Sequence, residues 1–309
     1  MSAGHDDARL SAELLERVAV LRGQPCQVEP LPGGLTNKNY KVSTPAGTYV
    51  LRHSTTSSAD ELAVDRRAEY ENSVRAAAVG VGAPVVEFLP DDGVLVIGFL
   101  DGETLSDERL QRPGMMRRVA EACRRLHGGE PFVNRFDMFE LQPEYLGRVQ
   151  RRGLRLPRGY LDHADAVGRI RDALAVRPVA LRPCHNDLLA ANFIDDGRTV
   201  SIIDYEYSGN NDPYFELGNI WSECHLTLEQ LEELVEAYDG TLSHSHLARA
   251  RLWGLMSQYG WTLWASIQDG TSALDFDFWG WGLEKYERAE ATFAGPELER
   301  LLADVTRAD

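Results

Sequence analysis

The sequence predicts an α+β fold in two lobes: a small antiparallel β-sheet lobe over residues 1–100 and a larger, mostly helical lobe over residues 101–309. Short apolar runs bounded by turn residues, which are typical of strands, are concentrated before residue 100. Longer segments with apolar residues at helical spacing dominate after it. A chain of 309 residues can also bury a sizeable core and exceeds the size of one small domain.

The composition is that of a globular chain with an acidic surface. Hydrophobic residues make up 43% and charged residues 26% of the chain, both ordinary fractions. With 48 Asp and Glu against 32 Lys and Arg, the net charge is −16. An acidic surface argues against nucleic acid as a partner and is compatible with a cationic small substrate. No apolar run approaches roughly 18 residues, so we predict no membrane span.

The cysteines and the N-terminus predict a cytoplasmic location. Cys26, Cys123, Cys184 and Cys224 have neither the spacing of a disulfide framework nor that of a zinc site. Residues 1–9 are polar and acidic and have no signal-peptide pattern. The sequence carries no signal for an oligomeric state.

Periodicity and turn residues predict the elements of the small lobe in order. An amphipathic helix is predicted between Leu10 and Leu21, where apolar residues recur at helical spacing. A charged helix is predicted from Ala59 to Val79 and ends at Gly80. Five antiparallel strands are predicted around it: Gln27 to Glu29, Tyr40 to Ser43, Thr48 to His53, Val85 to Leu89 and Val94 to Phe99.

A glycine-rich loop joins the first two predicted strands. It reads Leu31-Pro32-Gly33-Gly34-Leu35-Thr36-Asn37-Lys38-Asn39-Tyr40. Adjacent glycines let backbone amides approach phosphates closely. The same pattern is common in hairpin turns of purely structural role, so the loop alone leaves both interpretations open.

The large lobe is predicted to be helical around one polar stretch. Helices are indicated at Met115 to His127, at Tyr160 to Ala175 and from Phe215 onward. Residues 132–158 are irregular and rich in Arg, and could form a helical insertion over the cleft. The C-terminal third is helical and contains five of the six tryptophans.

The polar stretch runs from Cys184 to Glu206 and is predicted to be a loop, a hairpin and a second acidic turn. Strand-like runs are Val179 to Leu181, Phe193-Ile194 and Val200 to Ile203, with Asp195-Asp196-Gly197 as a turn. This geometry would bring Asp187, Asn192 and Asp204 to one place.

Those three side chains suit phosphoryl transfer. The reaction needs positioning of its reactants and hard oxygen ligands for Mg²⁺ on the nucleotide phosphates. Asn192 and Asp204 offer such oxygens, and Asp187 can accept a proton from an attacking hydroxyl. A polar loop that merely caps two strands is the alternative, but it does not explain why two carboxylates and an amide converge.

The spacing H-x-D-x-x-x-x-N, followed by D-x-E after a short hairpin, resembles the aminoglycoside phosphotransferase / choline kinase family. The fold of that family is similar to that of protein kinases. The resemblance implies Asp187 as catalytic base, Asn192 and Asp204 as ligands of Mg²⁺, and ATP as phosphate donor. It also implies His185 and Glu216 as structural support for the catalytic loop.

The resemblance makes residues 1–100 the nucleotide-binding lobe. Arg52 stands where protein kinases have a phosphate-binding lysine, and Glu69 would pair with it, Glu71 being the alternative. Backbone groups at the hinge would bind the base, which leaves ATP and GTP both open. The implied nucleotide-binding residues are Gly33, Gly34, Thr36, Asn37, Asn39, Arg52, Glu69, Gly98 and Leu100.

The C-terminal aromatic segments resemble the choline-binding helices of bacterial choline/ethanolamine kinases. Most aromatic residues there are expected to be core, but an aromatic cage with a nearby carboxylate binds quaternary ammonium groups. The resemblance implies Trp261, Trp264 and Trp281 as cage residues and Glu223 as the carboxylate. Leu228 lies where a family tyrosine is expected.

The sequence therefore predicts an ATP-dependent small-molecule kinase. Its acceptor would be a hydroxyl of a cationic amino-alcohol such as choline or ethanolamine, bound in the lobe of residues 101–309. The first alternative is a phosphotransferase that inactivates an aminoglycoside or a cationic peptide antibiotic, because an acidic surface also suits a polycation. The second is a binding module without catalysis, which the presence of Asp187, Asn192 and Asp204 disfavours.

Overall fold

The computed structural model describes residues 10–32, 37–54 and 64–308. It confirms the predicted α+β class, with an antiparallel sheet in the first third of the chain and a helical lobe after it. The described helices are α1 (Ala12–Arg17), α2 (Arg66–Ala78), α3 (Asp107–Leu110), α4 (Met115–His127), α5 (Met138–Arg152), α6 (Ala164–Val176), α7 (Pro213–Glu223), α8 (Leu228–Asp239), α9 (His244–Thr271), α10 (Phe278–Ala294) and α11 (Glu297–Asp304). No helix among these residues has the length and apolar character that a bilayer crossing requires.

The described strands fall into one larger and two smaller sheets. They are β1 (Gln27–Leu31), β2 (Asn37–Thr44), β3 (Gly47–Ser54), β4 (Val85–Leu89), β5 (Val94–Gly98), β6 (Glu103–Thr104), β7 (Arg182–Cys184), β8 (Phe193–Asp195), β9 (Val200–Ile202) and β10 (Gly209–Asn211). The larger sheet has the antiparallel order β1-β2-β3-β5-β4. Alternate residues of these strands, such as Tyr40 and Val42, face a small core completed by Val18 of the N-terminal segment.

Helix α2 begins later than predicted. The Asp65 side chain accepts hydrogen bonds from the N–H groups of Arg67 and Ala68 at 2.9 and 3.1 Å, so it caps the helix and fixes its start at Arg66. Residues 59–63 of the predicted helix lie outside the described residues.

Helix α2 is joined to the large lobe as well as to the sheet. The Asn72 amide donates to Asn134 Oδ1 at 2.8 Å and to Ser208 Oγ at 3.0 Å, and its oxygen accepts from the Val133 N–H at 3.1 Å. Ala76 of α2 also packs into the large hydrophobic core. The small-lobe helix is therefore anchored on the surface that carries the polar stretch. The division of function at residue 100 stays a prediction.

One predicted strand of the large lobe is corrected, and the region predicted to be irregular or a helical insertion contains a helix. The strand expected at residues 179–181 lies at 182–184, because its pairing with β10 sets the register, with Cys184 opposite Gly209. The irregular region at 132–158 contains helix α5, which Asp137 caps through the Phe139 N–H.

Helix α9 is the central element of the large lobe and packs against α7, α10 and α5. Its crossing with α7 is close because both helices have glycine at the contact. A Cβ at Gly218 would lie 2.1 Å from the Ala250 carbonyl oxygen, and one at Gly254 would lie 2.7 Å from the Trp221 ring. The close crossing fixes α7, whose two ends reach the functional site.

Candidate active site

Asp187 and Asn192, the predicted base and a predicted metal ligand, lie in the loop between β7 and β8, and the other predicted ligand, Asp204, follows β9 beside them. The Asn192 amide nitrogen donates to the Asp187 carbonyl oxygen at 2.8 Å, and the Ile203 N–H donates to the Asn192 carbonyl oxygen at 3.0 Å. Asp204 follows Ile203 directly and has a left-handed backbone with φ 74°. This conformation is unusual for a residue with a side chain and is found where function demands it. Asn186, at φ 70°, shares it.

Helix α7 holds the backbone of this loop through Glu216, the residue predicted to support it. One Glu216 carboxylate oxygen accepts the His185 N–H at 2.8 Å, and the other accepts the Asn186 N–H at 2.7 Å. One turn further, Asn219 Oδ1 accepts the Leu188 N–H at 2.7 Å. The backbone around Asp187 is thus held on both sides by a single helix.

His185, predicted to be structural, contacts the backbone of the segment that carries Asp204. Its Nε2 lies 2.8 Å from the Ile203 carbonyl oxygen, and burial lowers the pKa of the imidazole. The ring therefore stays neutral and joins the catalytic loop to the strand that ends at Asp204.

We call the charged group around Arg52 the nucleotide end; it consists of Arg52, Arg66, Glu69, Asp204 and Glu206. Arg52 lies 2.6 Å from Asp204 Oδ1 and 3.1 Å from Glu69 Oε1, so the predicted pair of Arg52 with Glu69 is present. Arg66 lies 2.8 Å from Glu69 and 3.1 Å from Glu206. Glu71 pairs instead with Arg67 at 2.9 Å.

The pKa values at the nucleotide end follow from this crowding. Although burial opposes it, the Arg52 charge and hydrogen bond lower the pKa of Asp204. Burial, together with the charges of Asp204 and Glu69, raises the pKa of Glu206 to about 7. Three carboxylates share two guanidinium groups here, so the group has an excess of negative charge when all of them are ionised.

The other predicted nucleotide residues lie around this group or outside the described residues. Gly33, Gly34 and Thr36 belong to residues 33–36, which the structure does not describe. The Asn37 amide donates to Glu206 at 3.0 Å, and Asn39 lies opposite Arg52 in the β2–β3 ladder.

At the predicted hinge, one backbone group at the end of β5 already forms a hydrogen bond within the protein. The Gly98 N–H donates to the Pro84 carbonyl oxygen at 2.8 Å, and Leu100 follows as a half-buried residue. A recess beside Arg52 and Asp204 has an aliphatic lining, made by Ala83, Leu95, Ile97 and Ile203.

The residues present fit a magnesium ion. Asp204 offers a carboxylate oxygen beyond the one that Arg52 contacts, and the Asn192 amide is fixed through its nitrogen, which leaves its oxygen as the ligand atom. Burial raises the pKa of Asp187 well above its ordinary value, and the charges of Glu223 and Glu206 add to the rise. A divalent cation would offset this accumulation of negative charge.

We call the aromatic group on the far side of Asp187 the acceptor end; it consists of Tyr207, Glu223, Trp261, Trp264, Trp281 and Lys285. The Trp264 indole N–H donates to the Tyr207 hydroxyl at 2.8 Å, and the Trp264 and Trp281 rings are 5.5 Å apart, edge to face. The Trp261 ring lies 5.0 Å from that of Tyr207. The three predicted tryptophans therefore form one cluster around Tyr207.

Glu223 has a partner within the chain. The Lys285 Nζ atom lies 2.5 Å from Glu223 Oε2 and 3.9 Å from the centre of the Trp281 ring. The sequence prediction gave Glu223 a ligand ammonium as partner, whereas the structure gives it a lysine. Leu228, in place of the expected tyrosine, is 41% exposed.

Sequence reasoning missed Glu206, Tyr207 and Lys285. The first two lie within three residues of the metal-ligand candidate, in Asp204-Tyr205-Glu206-Tyr207. Lys285 lies four residues after Trp281, which places both on one face of a helix. That spacing was the available signal.

The fold and this site define a protein-kinase-like phosphotransferase that acts on an alcohol. The site combines a loop held by a helix, two side chains with oxygen atoms available to a metal ion, and a buried arginine–glutamate pair. The chain belongs to the phosphotransferase enzyme family, whose model matches residues 27–253.

Relatives narrow the class to small-molecule kinases. A solved choline/ethanolamine kinase family protein from Mesorhizobium loti is 34% identical, with a TM-score of 0.84 over 95% of this chain and 97% of that chain. Protein LicA of Haemophilus influenzae is 27% identical over 247 residues, which cover 76% of this chain and 91% of LicA. Ethanolamine kinase 1 of Mus musculus is 27% identical over 275 residues, covering 74% and 73% of the two chains.

Solved antibiotic phosphotransferases are more distant. Their TM-scores lie between 0.56 and 0.64 at 12% to 16% identity, so they share the fold alone. The predicted family, fold class and enzyme class are confirmed.

Proposed function

We propose that this chain transfers the γ-phosphate of ATP to the hydroxyl of a small amino-alcohol of the choline or ethanolamine type, with Mg²⁺ as the metal. The observation that carries the proposal is the position of Asp187 between a metal-binding group and an aromatic, acidic group. The names of the relatives support the acceptor class.

Asn192 and Asp204 would hold the metal, which supplies positive charge to the phosphates when bound. The base would bind to backbone groups at the predicted hinge, Gly98 to Leu100, and recognition by backbone groups leaves ATP and GTP both possible. Glu69 holds Arg52 in position, and two N–H groups of a guanidinium can bind two phosphate oxygens at once.

Asp187 would accept the proton of the acceptor hydroxyl. Its backbone is fixed by α7 and by the Asn192 amide, so the carboxylate is positioned before the acceptor arrives. Burial raises the pKa of Asp187, and a raised pKa makes the carboxylate a stronger base.

The antibiotic alternative has one observation in its favour. A cleft of about 210 Å³ beside Tyr207 is lined by five carboxylates: Asp65, Asp137, Glu140, Glu144 and Glu206. Four of them already have partners in the protein, however. Asp65 caps α2, and Arg135, Arg148 and Arg66 pair with Asp137, Glu144 and Glu206 respectively. The three arginines reduce the negative charge that this cleft offers a polycation, and Asp65 and Glu140 keep theirs.

The four cysteines are free thiols, three of them buried. Free thiols suit a reducing compartment, so a cytoplasmic location stays our prediction.

Release of ADP from Mg²⁺-ATP tests the proposal. The panel contains choline, ethanolamine, aminoglycosides and cationic peptide antibiotics, with Asp187→Asn as the matched variant. We expect turnover with an amino-alcohol and a fall in kcat of roughly 10²- to 10⁴-fold in Asp187→Asn. If the protein phosphorylates an antibiotic but none of the amino-alcohols, the result would favour the alternative. Equal release by both proteins would contradict the assignment of Asp187.

A further inference from the structure

We infer that Lys285 makes the acceptor end selective for an amino-alcohol whose nitrogen carries hydrogens, and selective against a quaternary ammonium. The inference rests on the proposed function and narrows its acceptor. It assigns Lys285 as a residue that determines specificity.

Lys285 occupies the position that a ligand cation would take. Its ammonium contacts both parts of a cation site: a Glu223 carboxylate oxygen at 2.5 Å and the Trp281 ring face, whose centre is 3.9 Å away. The Lys285 and Glu223 side chains are only 5% and 2% exposed, so water does not screen the pair. The Glu223 charge is therefore balanced within the chain, and the Trp281 face is already engaged.

A second observation is that one oxygen of the Glu223 carboxylate has no hydrogen-bond donor among the described residues. Glu223 Oε1 is buried and has no hydrogen-bond partner among the described residues, whereas Oε2 is held by Lys285. A buried carboxylate oxygen without a donor is costly, so a ligand that brings an N–H is favoured. A primary ammonium carries such donors. A trimethylammonium group carries none and would leave Oε1 unpaired.

Glu223 lies beside the catalytic loop, so a group that contacts it belongs to the acceptor. The next residue, Cys224, donates from its Sγ to the Leu188 carbonyl oxygen at 3.5 Å, and Leu188 follows Asp187. Burial is the main cause of the raised pKa of Asp187, but Glu223 adds to it and Lys285 opposes it. The ion pair and the catalytic carboxylate therefore act on one another.

The Lys285 ammonium also discriminates by charge. A quaternary ammonium is held mainly by charge and by aromatic faces. Here a fixed positive charge already lies on one of those faces, so a second cation would meet repulsion with no hydrogen bond to offset it. A primary ammonium meets the same charge but gains the bond to Glu223 Oε1.

The test is an acceptor series that differs only at nitrogen: ethanolamine, N-methylethanolamine, N,N-dimethylethanolamine and choline. All offer the same primary hydroxyl, while each step replaces one N–H by a methyl group. With the wild-type chain and Mg²⁺-ATP, we expect kcat/KM to fall along the series. The largest step, on the order of 100-fold, should come at choline, where the last N–H is lost.

Variants at Lys285 then assign the selectivity. Lys285→Met should raise the ratio of kcat/KM for choline to that for ethanolamine by roughly tenfold, because Glu223 and Trp281 become free for a ligand cation. Lys285→Arg keeps the charge and should keep the wild-type ratio. Arg288→Met is the matched control: it removes a cation of the same helix that contacts the Ser222 carbonyl oxygen at 3.0 Å, and it should leave the ratio unchanged.

The selectivity can still be measured if Lys285→Met does not fold. Lys285→Met leaves the Glu223 charge buried without a partner, so it can fail to fold. The double variant Lys285→Met/Glu223→Gln has no unpaired charge and should lose the preference for ethanolamine. The wild-type series needs no substitution at all.

The possible outcomes are distinct. If choline matches or exceeds ethanolamine in the wild-type chain, the inference is overturned while the proposed function stands. An unchanged ratio in both Lys285→Met and the double variant overturns it as well. If no member of the series is phosphorylated, the proposed function and the inference fail together.

Discussion

The nucleotide end and the acceptor end are both buried groups of charged side chains, but their charges balance differently. At the nucleotide end, Glu69, Asp204 and Glu206 face two guanidinium groups. At the acceptor end, one carboxylate faces one ammonium, Glu223 with Lys285. The first arrangement has an excess of negative charge and can accept a metal ion, whereas the second is neutral and can accept a hydrogen-bond donor.

The difference shows why a count of acidic residues is a poor guide to a ligand. Both ends contain carboxylates, and the chain as a whole has a net charge of −16. Only the local balance separates a site for a divalent ion from a site for a polar head group. Four experiments test this comparison.

The largest effect is expected for Asp204→Asn. The substitution removes the one negative charge of the proposed ligand pair, because Asn192 is neutral, while Arg52 keeps Glu69, so kcat should fall by roughly 10³-fold or more at saturating Mg²⁺. Steady-state ADP release measures it. Asp196→Asn is the control, because that turn carboxylate accepts backbone N–H groups at 2.7 and 2.6 Å and should tolerate the amide. Near-normal activity in Asp204→Asn would remove the metal assignment.

The next effect concerns the neutral pair. Lys285→Ala leaves Glu223 charged and buried, and the free energy of unfolding should fall by about 3–5 kcal/mol. The double variant Lys285→Met/Glu223→Gln should cost clearly less, because both charges leave together. Urea denaturation compares the two variants. Equal losses would show that the pair contributes packing and not charge balance.

Helix α7, which holds the catalytic loop through Glu216 and carries Glu223 of the acceptor end, gives a third prediction. In Gly218→Ala, the new Cβ would meet the Ala250 carbonyl oxygen at 2.1 Å, so α7 and α9 must separate, at a cost of about 3 kcal/mol in stability. Gly168→Ala is the matched control. That position in α6 has open space around it, so alanine should stabilise by about 0.5–1 kcal/mol. Thermal unfolding of both variants should show shifts of opposite sign.

The smallest effect is a pH dependence at the nucleotide end. Burial and the Asp204 charge raise the pKa of Glu206 from 4.5 to about 7, so the native state binds this proton more tightly than the unfolded state does. The free energy of unfolding of the metal-free protein should therefore fall as the pH rises from about 4.5 to about 7.

Glu206→Gln should flatten that dependence, because the amide has no proton to release in this range. Denaturation of the metal-free protein across this pH range measures the slope. Glu71→Gln is the control, because Glu71 forms an exposed pair with Arg67 and should leave the slope as it is. An unchanged slope in Glu206→Gln would contradict the crowding of carboxylates at this end.

The sequence was sufficient where the signal is local. The sheet strands follow from alternation and turns, and the group of Asp187, Asn192 and Asp204 follows from spacing within one hairpin. The pair of Arg52 with Glu69 was predicted from family resemblance and is present at 3.1 Å.

The sequence was insufficient where a contact depends on packing between distant segments. Glu223 and Lys285 are 62 residues apart, and their meeting depends on how α7 and α10 pack around α9. The shift of the predicted strand at 179–181 has a similar cause, because its partner β10 sets the register. No local sequence pattern predicts the Glu223–Lys285 contact or the position of the strand at 182–184.

Helix α7 carries Glu216 at one end and Glu223 at the other, two turns apart. If Glu223 contacts the acceptor as we infer, this helix connects the support of the catalytic loop to the acceptor site, and a shift of the helix should alter turnover and selectivity together. Helix α10 supplies Lys285 and Trp281 from a separate segment. We therefore expect acceptor preference to change most easily, in evolution or in the laboratory, through substitutions in α10. Such a substitution can alter which acceptor binds without shifting the helix that holds the catalytic loop.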